Sequence, residues 1–571
     1  MRAVAIRGTL GALALALAAA VPCDVPAYAA TGSARAAHPP AAASDALPDP
    51  FADVRMAVGT RTAARAAAAA GVRWRRCPAA ESLPAPVECG KVAVPVDYSR
   101  PHGATIDLTV SRRRATGPPA RRLGPLLYNP GGPGGDGTPF PLFPATAPGT
   151  VWRKLNSAYD FVGYAPRGVG RSAPLSCQAA ESFERAQHRA PAHPTAGFMK
   201  AERHRAAAYA RGCARAQGHR LDHYTTPDNA RDLDVLRAAL GANKLNLLGR
   251  SYGSYLGAAY ATLFPQHVGR LVLDGVADPR REKVWYRSGF DQDRASERRW
   301  ADWKRWVARH HSRYGLGRTR RSVQRQADRA RRAADHGRLG GGSLARTAGS
   351  GELLTAYLQA VYDDRAWPEL AAALADFAHG HPDRLAALAS PEPRSPAEAS
   401  SEENAHAVYL AVQCSDAHWP RSWRRWMRDT AATARRAPFA TWQNAWTNLP
   451  CAYWKGERSR PLEIGAPPGR LPPVLLLAAT RDAATPYEGA LETRRRLPGS
   501  SLVTERGSGT HGVAGGNACA DRRLAAYLLH GRTPGDGVSC PARSAPRPDP
   551  APGPRAHGRQ RSANSAQGAA S

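Results

Sequence analysis

The segment Lys244-Leu-Asn-Leu-Leu-Gly-Arg-Ser251-Tyr-Gly-Ser-Tyr-Leu-Gly-Ala-Ala-Tyr260 decides the fold of this chain. An apolar run enters Gly249-Arg-Ser-Tyr-Gly253, and an alanine-rich run of small residues leaves it. This order predicts a strand, a sharp turn and a helix, with Ser251 strained and its hydroxyl exposed. The two glycines remove Cβ atoms where strand and helix come close. Because the chain is rich in glycine and serine, the pattern alone is weak evidence, and the partners of Ser251 must be sought.

The segments around this turn predict an α/β fold, with a mostly parallel sheet and helices on both faces. Residues 89–98 and 106–112 alternate apolar and polar side chains, which is typical of two antiparallel strands. Residues 225–240 have leucines at helical spacing after a capping threonine or aspartate. Short apolar runs indicate buried strands at residues 124–128, 159–164, 245–248, 268–274, 471–480 and 501–503. Strands that alternate with helices favour parallel pairing.

Residues 279–460 interrupt this alternation. They are rich in tryptophan and arginine and have apolar residues at helical spacing, as at Trp300, Trp303 and Trp306. We interpret them as a helical lid inserted into the core. The first part of the core is then residues 76–278, and its C-terminal part is residues 461–540.

The two ends of the chain have the composition of processing or disordered segments. Residues 1–29 combine early arginines, an apolar run and small residues at Ala27-Tyr28-Ala29, which predicts a signal peptide and a secreted protein. No other stretch is long and apolar enough to predict a transmembrane helix. Residues 30–75 and 541–571 lack sustained apolar periodicity, so we expect a disordered leader and a disordered tail.

The cysteines favour disulfides. Of the nine cysteines, Cys23 falls within the predicted signal peptide, and an even number remains in an exported chain. No C-x-x-C pair suggests zinc, and we expect neither a metal nor a cofactor. The sequence leaves the pairing open, but the cysteines fall as successive neighbours. We favour the pairs Cys77–Cys89, Cys177–Cys213, Cys414–Cys451 and Cys519–Cys540.

The formal net charge of +32 raises the question of a nucleic-acid partner. The charge comes mostly from arginines scattered among alanine and proline, without zinc-finger spacing or an aromatic RNA-binding motif. We therefore attribute it to solvated faces and expect no nucleic-acid partner.

Two further residues follow strands in the order that a serine nucleophile requires. Asp482 comes directly after the apolar run 474–479, and His511 lies in the glycine-flanked segment Gly507-Ser-Gly-Thr-His-Gly512. In α/β-hydrolases the nucleophile, the acid and the histidine follow this chain order. Asp482 could instead belong to the entry turn of a helix. Asp274, at the end of an earlier strand, is a rival acid, although we favour Asp482.

A glycine cluster can supply the remaining part of such a site. Asn129-Pro-Gly-Gly-Pro-Gly-Gly135 follows a short buried strand and lacks the G-K-[ST] of a phosphate loop. Tetrahedral intermediates of acyl transfer need two N–H donors, one from the residue after the nucleophile and one from an early loop. We expect these donors to be the amides of Tyr252 and Gly132.

Together these motifs, with Asp160-Phe-Val-Gly-Tyr-Ala-Pro-Arg-Gly-Val-Gly-Arg-Ser172 and Leu273-Asp-Gly-Val-Ala-Asp-Pro279, resemble the secreted tripeptidyl aminopeptidases of actinomycetes. Those enzymes are similar to proline iminopeptidases within the α/β-hydrolase serine peptidases. The resemblance covers residues 75–540. It implies release of short peptides from free N-termini through an acyl-enzyme on Ser251, with His511 as base and Asp482 orienting it. Ala165 and Asp136 depart from the pattern, where relatives often carry an aspartate and a serine.

An aminopeptidase must also bind the ammonium group of its substrate, and lid carboxylates are suited to this. Glu402, Glu403 and Asp416 flank the segment that leads to Cys414 and are the candidates. We expect peptide substrates, a monomer and no stable membrane insertion. An esterase or lipase-like enzyme on the same scaffold is the alternative, since fold does not fix function. A non-catalytic binding protein is a third reading, which the intact Ser, Asp and His oppose.

Overall fold

A computed structural model describes residues 52–548, apart from residue 148, residues 341–347, residues 391–394 and residue 536. Its strands form a ten-stranded sheet. They are β1 Arg75–Arg76, β2 Glu88–Pro95, β3 Thr105–Arg113, β4 Pro125–Asn129, β5 Asp160–Tyr164, β6 Leu245–Arg250, β7 Val268–Asp274, β8 Val474–Ala479, β9 Ser501–Arg506 and β10 Val538–Pro541. Their spatial order is β1-β2-β3-β5-β4-β6-β7-β8-β9-β10.

The sheet is antiparallel at one edge and parallel elsewhere. β2 pairs antiparallel with β1 and β3, and β3 pairs antiparallel with β5. Each following pair, from β5–β4 through β4–β6, β6–β7, β7–β8 and β8–β9 to β9–β10, is parallel. The mostly parallel sheet is therefore confirmed. In such a sheet, the loops after the strands meet along one edge, where ligands bind.

Helices cover both faces of the sheet. They are α1 Ala52–Ala70, α2 Phe143–Thr146, α3 Val151–Asn156, α4 Ala180–Gln187, α5 Ala196–Gln217, α6 Thr226–Ala239, α7 Tyr252–Leu263, α8 Tyr286–Arg309, α9 His311–Tyr314, α10 Arg320–Asp335, α11 Ser350–Tyr362, α12 Trp367–Ala378, α13 Asp383–Ala389, α14 Pro396–Asp416, α15 Trp423–Ala434, α16 Thr441–Asn448, α17 Glu488–Arg496 and α18 Ala518–His530.

Alternate residues of the central strands belong to different apolar clusters. Leu247 of β6 packs in the cluster that contains Leu233 of α6 and Leu256 of α7. Its neighbour Leu248 packs in the cluster that contains Leu524 of α18. Since successive side chains of a strand point to opposite faces, each central strand is buried on both sides.

Helices α8 to α16 lie between β7 and β8 in the chain, in the region where the sequence predicts a lid. Trp300, Trp303 and Trp306 of α8 are fully buried, and the rings of Trp300 and Trp303 stack 4.5 Å apart. Because of their helical spacing, these three side chains lie together in the apolar core of the inserted region. Among the described residues, no helix has both the length and the apolar character needed to cross a membrane.

The structure differs from the sequence expectations at both ends. The disordered leader predicted for residues 30–75 is wrong for Ala52–Ala70, which form α1. Small residues allow this helix to lie close to the core, since a Cβ on Gly59 would stand 1.7 Å from the carbonyl oxygen of Tyr98. The tail predicted from residue 541 is wrong for residues 541–548, where Arg543 pairs with Glu505 and the carbonyl of Pro546 accepts from Trp306. The predicted signal peptide lies outside the described residues.

The described residues contain four disulfides, and they are the neighbouring pairs favoured from the sequence. Each joins segments that are close in the chain, and the largest separation is 37 residues. The bonds are Cys77–Cys89, Cys177–Cys213, Cys414–Cys451 and Cys519–Cys540.

A buried ion pair anchors the loop after β5. Arg167 donates to Asp232 through Nε at 2.7 Å and Nη2 at 2.6 Å, and both side chains are almost fully buried. Arg167 also donates to three backbone carbonyls, those of Pro95, Val96 and His223. The pair therefore ties α6 and the end of β2 to the loop that begins at Ala165.

Replacing Arg167 with methionine is expected to lower the free energy of unfolding by about 3–5 kcal/mol, because Asp232 would remain buried without its cation. Urea titration followed by circular dichroism measures this change. Arg171→Met is the matched control, since Arg171 pairs with Glu81 while its own side chain is 54% exposed. Such pairs contribute about 0–1 kcal/mol. Equal losses in the two variants would contradict the prediction.

Candidate active site

Ser251 occupies the turn between β6 and α7 in a strained backbone conformation, with φ 59° and ψ −126°. Its amide donates to the carbonyl of Asp274 at 2.9 Å. Neither flanking glycine could carry a side chain, because a Cβ on Gly249 would lie 2.1 Å from the carbonyl oxygen of Gly253, and one on Gly253 would lie 2.5 Å from that of Asn129. The turn therefore has the geometry of a nucleophile elbow.

His511 and Asp482 form a buried hydrogen-bonded pair. His511 Nδ1 lies 3.0 Å from Asp482 Oδ1 and 2.9 Å from Oδ2, and the two residues are 5% and 2% exposed. Asp482 also accepts from the amides of Ala484 and Thr485 at 2.9 and 3.1 Å and from the Thr485 hydroxyl at 3.2 Å. The carboxylate is fixed in its loop and faces the imidazole, as expected for the acid of a triad.

The rival acid, Asp274, has a different place. Its carboxylate accepts from the amides of Val513 and Ala514 at 2.8 and 3.1 Å. Burial raises the pKa of this carboxyl group above its ordinary value. The positive charge of Arg250 and these two hydrogen bonds offset the effect only in part. Asp274 therefore holds the loop that follows His511, and Asp482 is the carboxylate that contacts the ring.

Further contacts to His511 could not be found from the sequence. The amide of His511 donates to the carbonyl of Tyr362 at 2.7 Å, and the guanidinium of Arg250 donates to the carbonyl of His511. The Tyr362 ring lies edge-on to the imidazole, with centroids 5.6 Å apart. The contact from α11 uses a main-chain carbonyl, which any residue type offers, so no sequence signal marks it.

The glycine cluster after β4 lies directly against the elbow. A Cβ on Gly131 would stand 2.9 Å from both the amide nitrogen of Tyr252 and the Cβ of Ser251. Gly131 and Gly132 have φ values of 93° and 109°, which residues with side chains rarely adopt. Tyr252 is the first residue of α7, so no preceding carbonyl of the helix accepts from its amide. These are the two loops that the sequence predicts for the oxyanion donors.

The helices inserted between β7 and β8 contact the loops that carry Asp482 and His511. Gln292 of α8 donates to the carbonyl of Ala484 at 2.6 Å. Arg481 forms a bidentate pair with Asp302 of α8, with both bonds 2.7 Å long. A Cβ on Gly509 would lie 2.2 Å from Nε of the buried Arg299. The inserted helices thus fix the same loops that carry the histidine and the acid.

The carboxylates expected to bind a substrate ammonium have different environments. Glu403 is buried against the Cys177 loop, and its Oε1 accepts from the amides of Cys177 and Gln178 and from the Tyr209 hydroxyl. These partners belong to the Cys177 loop and α5, away from the residue that follows Ser251, so Glu403 is not retained as a binding candidate. Glu402 is partly exposed on α14.

Asp416, the last residue of α14, is hydrogen-bonded to the start of α6. It accepts from the Thr226 amide at 2.7 Å, the Thr226 hydroxyl at 2.6 Å and the Trp285 indole at 3.2 Å. The Thr226 hydroxyl is 2.8 Å from that of Tyr252, the residue after Ser251. Burial raises the pKa of Asp416 to about 6. Asp416 is therefore a buried carboxylate that receives hydrogen bonds only from neutral donors among these partners.

A parallel sheet with a serine at a strained elbow and a buried histidine–carboxylate pair at the same edge defines an α/β-hydrolase of the serine hydrolase class. Residues 124–362 match the family described as "alpha/beta hydrolase fold", and residues 437–540 match "TAP-like protein". The chain is 48% identical to the tripeptidyl aminopeptidase of Streptomyces lividans, over 86% of this chain and 91% of that protein. It belongs to the tripeptidyl aminopeptidase family.

More distant relatives have other names. The chain is 30% identical to the serine protease Hip1 of Mycobacterium tuberculosis, over 82% of this chain and 91% of that protein. It is also 30% identical to carboxylesterase B of the same organism, over 79% of this chain and 86% of that protein. Similar chains therefore carry the names of both peptidases and esterases.

Proposed function

We propose that this protein is an exported serine peptidase that releases tripeptides from the free N-termini of peptides. The observation that carries the proposal is the buried His511–Asp482 pair at the sheet edge where the Ser251 elbow lies. The tripeptide product is taken from the name of the relative with 48% identity. Export is supported by the signal-like residues 1–29 and by four disulfides, which persist in oxidising compartments. The monomeric state remains a prediction.

The proposed reaction proceeds through an acyl-enzyme. Ser251 Oγ attacks the carbonyl carbon of the scissile bond while His511 takes the hydroxyl proton. Since Nδ1 faces Asp482, Nε2 is the nitrogen left for proton transfer. The amides of Gly132 and Tyr252 stabilise the tetrahedral oxyanion. His511 then protonates the leaving amine, and the C–N bond breaks. In the second half-reaction His511 takes a proton from water, which attacks the acyl carbon. The bond to Ser251 Oγ breaks, His511 returns the proton to this oxygen, and the N-terminal peptide is released.

We further propose that Asp416 binds the ammonium group of the substrate. It is buried, its partner Thr226 also contacts the side-chain hydroxyl of Tyr252, and the hydrogen bonds it receives from Thr226 and Trp285 bring no positive charge. A buried carboxylate without a cation favours a cationic ligand, because a charge pair in a low-dielectric pocket is stronger than in water.

Asp416→Asn is expected to lower kcat/KM for peptides with free N-termini by about 30-fold, equivalent to about 2 kcal/mol. In the unchanged protein the Asp416 carboxyl gains its proton as the pH falls through its pKa of about 6 and loses its charge. KM for these peptides should therefore rise below that pH. Kinetics with tripeptidyl p-nitroanilides between pH 5 and 8 measure both effects.

Glu402→Gln is the matched control for Asp416→Asn, because it removes the other remaining candidate carboxylate of α14. It should leave KM and its pH dependence unchanged. N-acetylated peptides, which have no ammonium group, should be poor substrates of the unchanged protein. Asp416→Asn should reduce the ratio of kcat/KM for free peptides to kcat/KM for N-acetylated peptides. An effect confined to Glu402→Gln would assign the ammonium site to Glu402 instead.

An esterase is the second candidate, favoured by the carboxylesterase B relative. A panel of tripeptidyl and aminoacyl p-nitroanilides beside p-nitrophenyl esters separates the two activities, with Ser251→Ala as the blank. Turnover of esters without any anilide turnover would contradict the peptidase proposal. Failure of a fluorophosphonate probe to label Ser251 would contradict both and favour a binding protein.

A further inference from the structure

The chain from the last residue of β10 onward contacts both the loop that carries His511 and helix α8. We call residues 541–548 the C-terminal strap. At its start, the carbonyl of Pro541 accepts from the Asn517 side chain at 2.8 Å, directly after the Cys519–Cys540 disulfide. Further along, the carbonyl of Pro546 accepts from the Trp306 indole of α8 at 3.1 Å. The strap therefore runs from the sheet edge to helix α8 and is hydrogen-bonded at both places.

Arg543, in the middle of the strap, binds a fully buried carboxylate. Glu505 of β9 is 0% exposed, and Arg543 donates to it from the backbone amide at 2.8 Å, from Nε at 3.0 Å and from Nη2 at 2.7 Å. Burial alone raises the pKa of Glu505, but the hydrogen bonds and charge of Arg543 hold it below its ordinary value. Two parallel bonds from one guanidinium fix its orientation as well as its position.

The same guanidinium reaches the catalytic loop. Arg543 Nη2 also donates to the carbonyl of Gly512 at 3.2 Å, and Gly512 directly follows His511 in the chain. A Cβ on Gly516 would lie 2.5 Å from Arg543 Nη1, so the far end of this loop packs on the guanidinium too. Glu505 thus fixes the guanidinium of Arg543, and the loop that carries His511 contacts that guanidinium.

Residues 507–517 form no helix or strand, so groups from elsewhere must hold the backbone around His511. Tyr362 accepts from the His511 amide, Arg250 donates to the His511 carbonyl, and Asp274 accepts from the next two amides after Gly512. The Gly512 carbonyl lies between these points. Its contact from the strap completes a continuous set of supports from residue 511 to residue 514.

We propose that Arg543 is a positioning residue for His511, and that the C-terminal strap is a working part of the active site. This inference rests on the proposed function, in which His511 is the general base. Loss of the guanidinium would free the Gly512 carbonyl and let the imidazole move relative to Ser251. Misplacement of a catalytic group by about 1 Å can cost about 100-fold in rate.

The test compares Arg543→Gln with Arg547→Gln, which alters an exposed arginine of the same strap. For Arg543→Gln we expect kcat on a tripeptidyl p-nitroanilide to fall by about 100-fold while KM stays within about twofold. The rate at which a fluorophosphonate labels Ser251 should fall with kcat, because labelling needs the base and no peptide binding. Arg547→Gln should match the unchanged protein in all three measurements.

A chemical rescue separates positioning from general destabilisation. Arg543→Ala leaves a space beside Glu505, and millimolar guanidinium chloride should restore a large part of kcat, whereas the same concentration of urea or sodium chloride should not. Thermal unfolding of each variant shows whether it is folded at the assay temperature.

The outcomes are distinct. If Arg543→Gln lowers the unfolding temperature but keeps kcat and the labelling rate within about threefold of the unchanged protein, the strap is only structural and the inference is wrong. Loss of kcat without rescue by guanidinium would also count against it. If the unchanged protein neither cleaves peptides nor reacts with the probe, the proposed function fails instead.

Discussion

Ser251→Ala is expected to lower kcat on tripeptidyl p-nitroanilides by about 10⁶-fold, because no other group can form the acyl-enzyme. The fold should be unaffected, since alanine keeps the Cβ and removes only the hydroxyl. The amide of residue 251 would still donate to the Asp274 carbonyl. KM should change little, because the serine hydroxyl contributes to the transition state more than to binding.

The measurement pairs kinetics with labelling by a fluorophosphonate. In the unchanged protein, mass spectrometry of the digested adduct should place the label on Ser251, and Ser251→Ala should take up none. Ser182→Ala, which alters an exposed serine of α4, is the control and should behave as the unchanged protein. Residual activity of a few per cent in Ser251→Ala would contradict its role as nucleophile.

The parts of the site that the sequence predicts are those set by local chemistry and chain order. The Ser251 turn has no space for a side chain at position 249 or 253, and the glycines at both positions are visible in the sequence. Asp482 and His511 follow buried strands, and parallel strands deliver the loops after them to one edge. The sequence therefore indicated that Asp482 and His511 lie together, although they are 29 positions apart.

The parts that the sequence did not predict depend on contacts between distant segments. Glu403 was expected to face a substrate, but it serves the amides of Cys177 and Gln178, which lie more than 220 positions away in the chain. Tyr362 and Arg543 support the His511 loop through main-chain carbonyls, and such contacts impose little choice of residue at the loop. Helix α1 was missed because its buried face consists of Gly59, Thr60 and three alanines, which give a weak apolar pattern.

Asp482→Asn is expected to lower kcat by about 10⁴-fold at neutral pH. Asparagine would keep the size of the side chain but could donate to His511 Nδ1, which favours the wrong tautomer and leaves Nε2 unable to accept the serine proton. It would also remove the charge that stabilises the imidazolium. Tripeptidyl p-nitroanilide kinetics and fluorophosphonate labelling should decline together, because both need the same base.

Asp274→Asn is the matched control, since it makes the same change at the rival carboxylate at the sheet edge. Asp274 accepts from the amides of Val513 and Ala514 and does not hydrogen-bond the ring of His511. An asparagine amide group would turn one of these bonds into two facing donors, so the free energy of unfolding should fall by about 1–3 kcal/mol. The loss of kcat should be far smaller than for Asp482→Asn, because the imidazole keeps its carboxylate. The opposite ranking of the two variants in kcat would make Asp274 the acid of the triad and Asp482 a support of its loop.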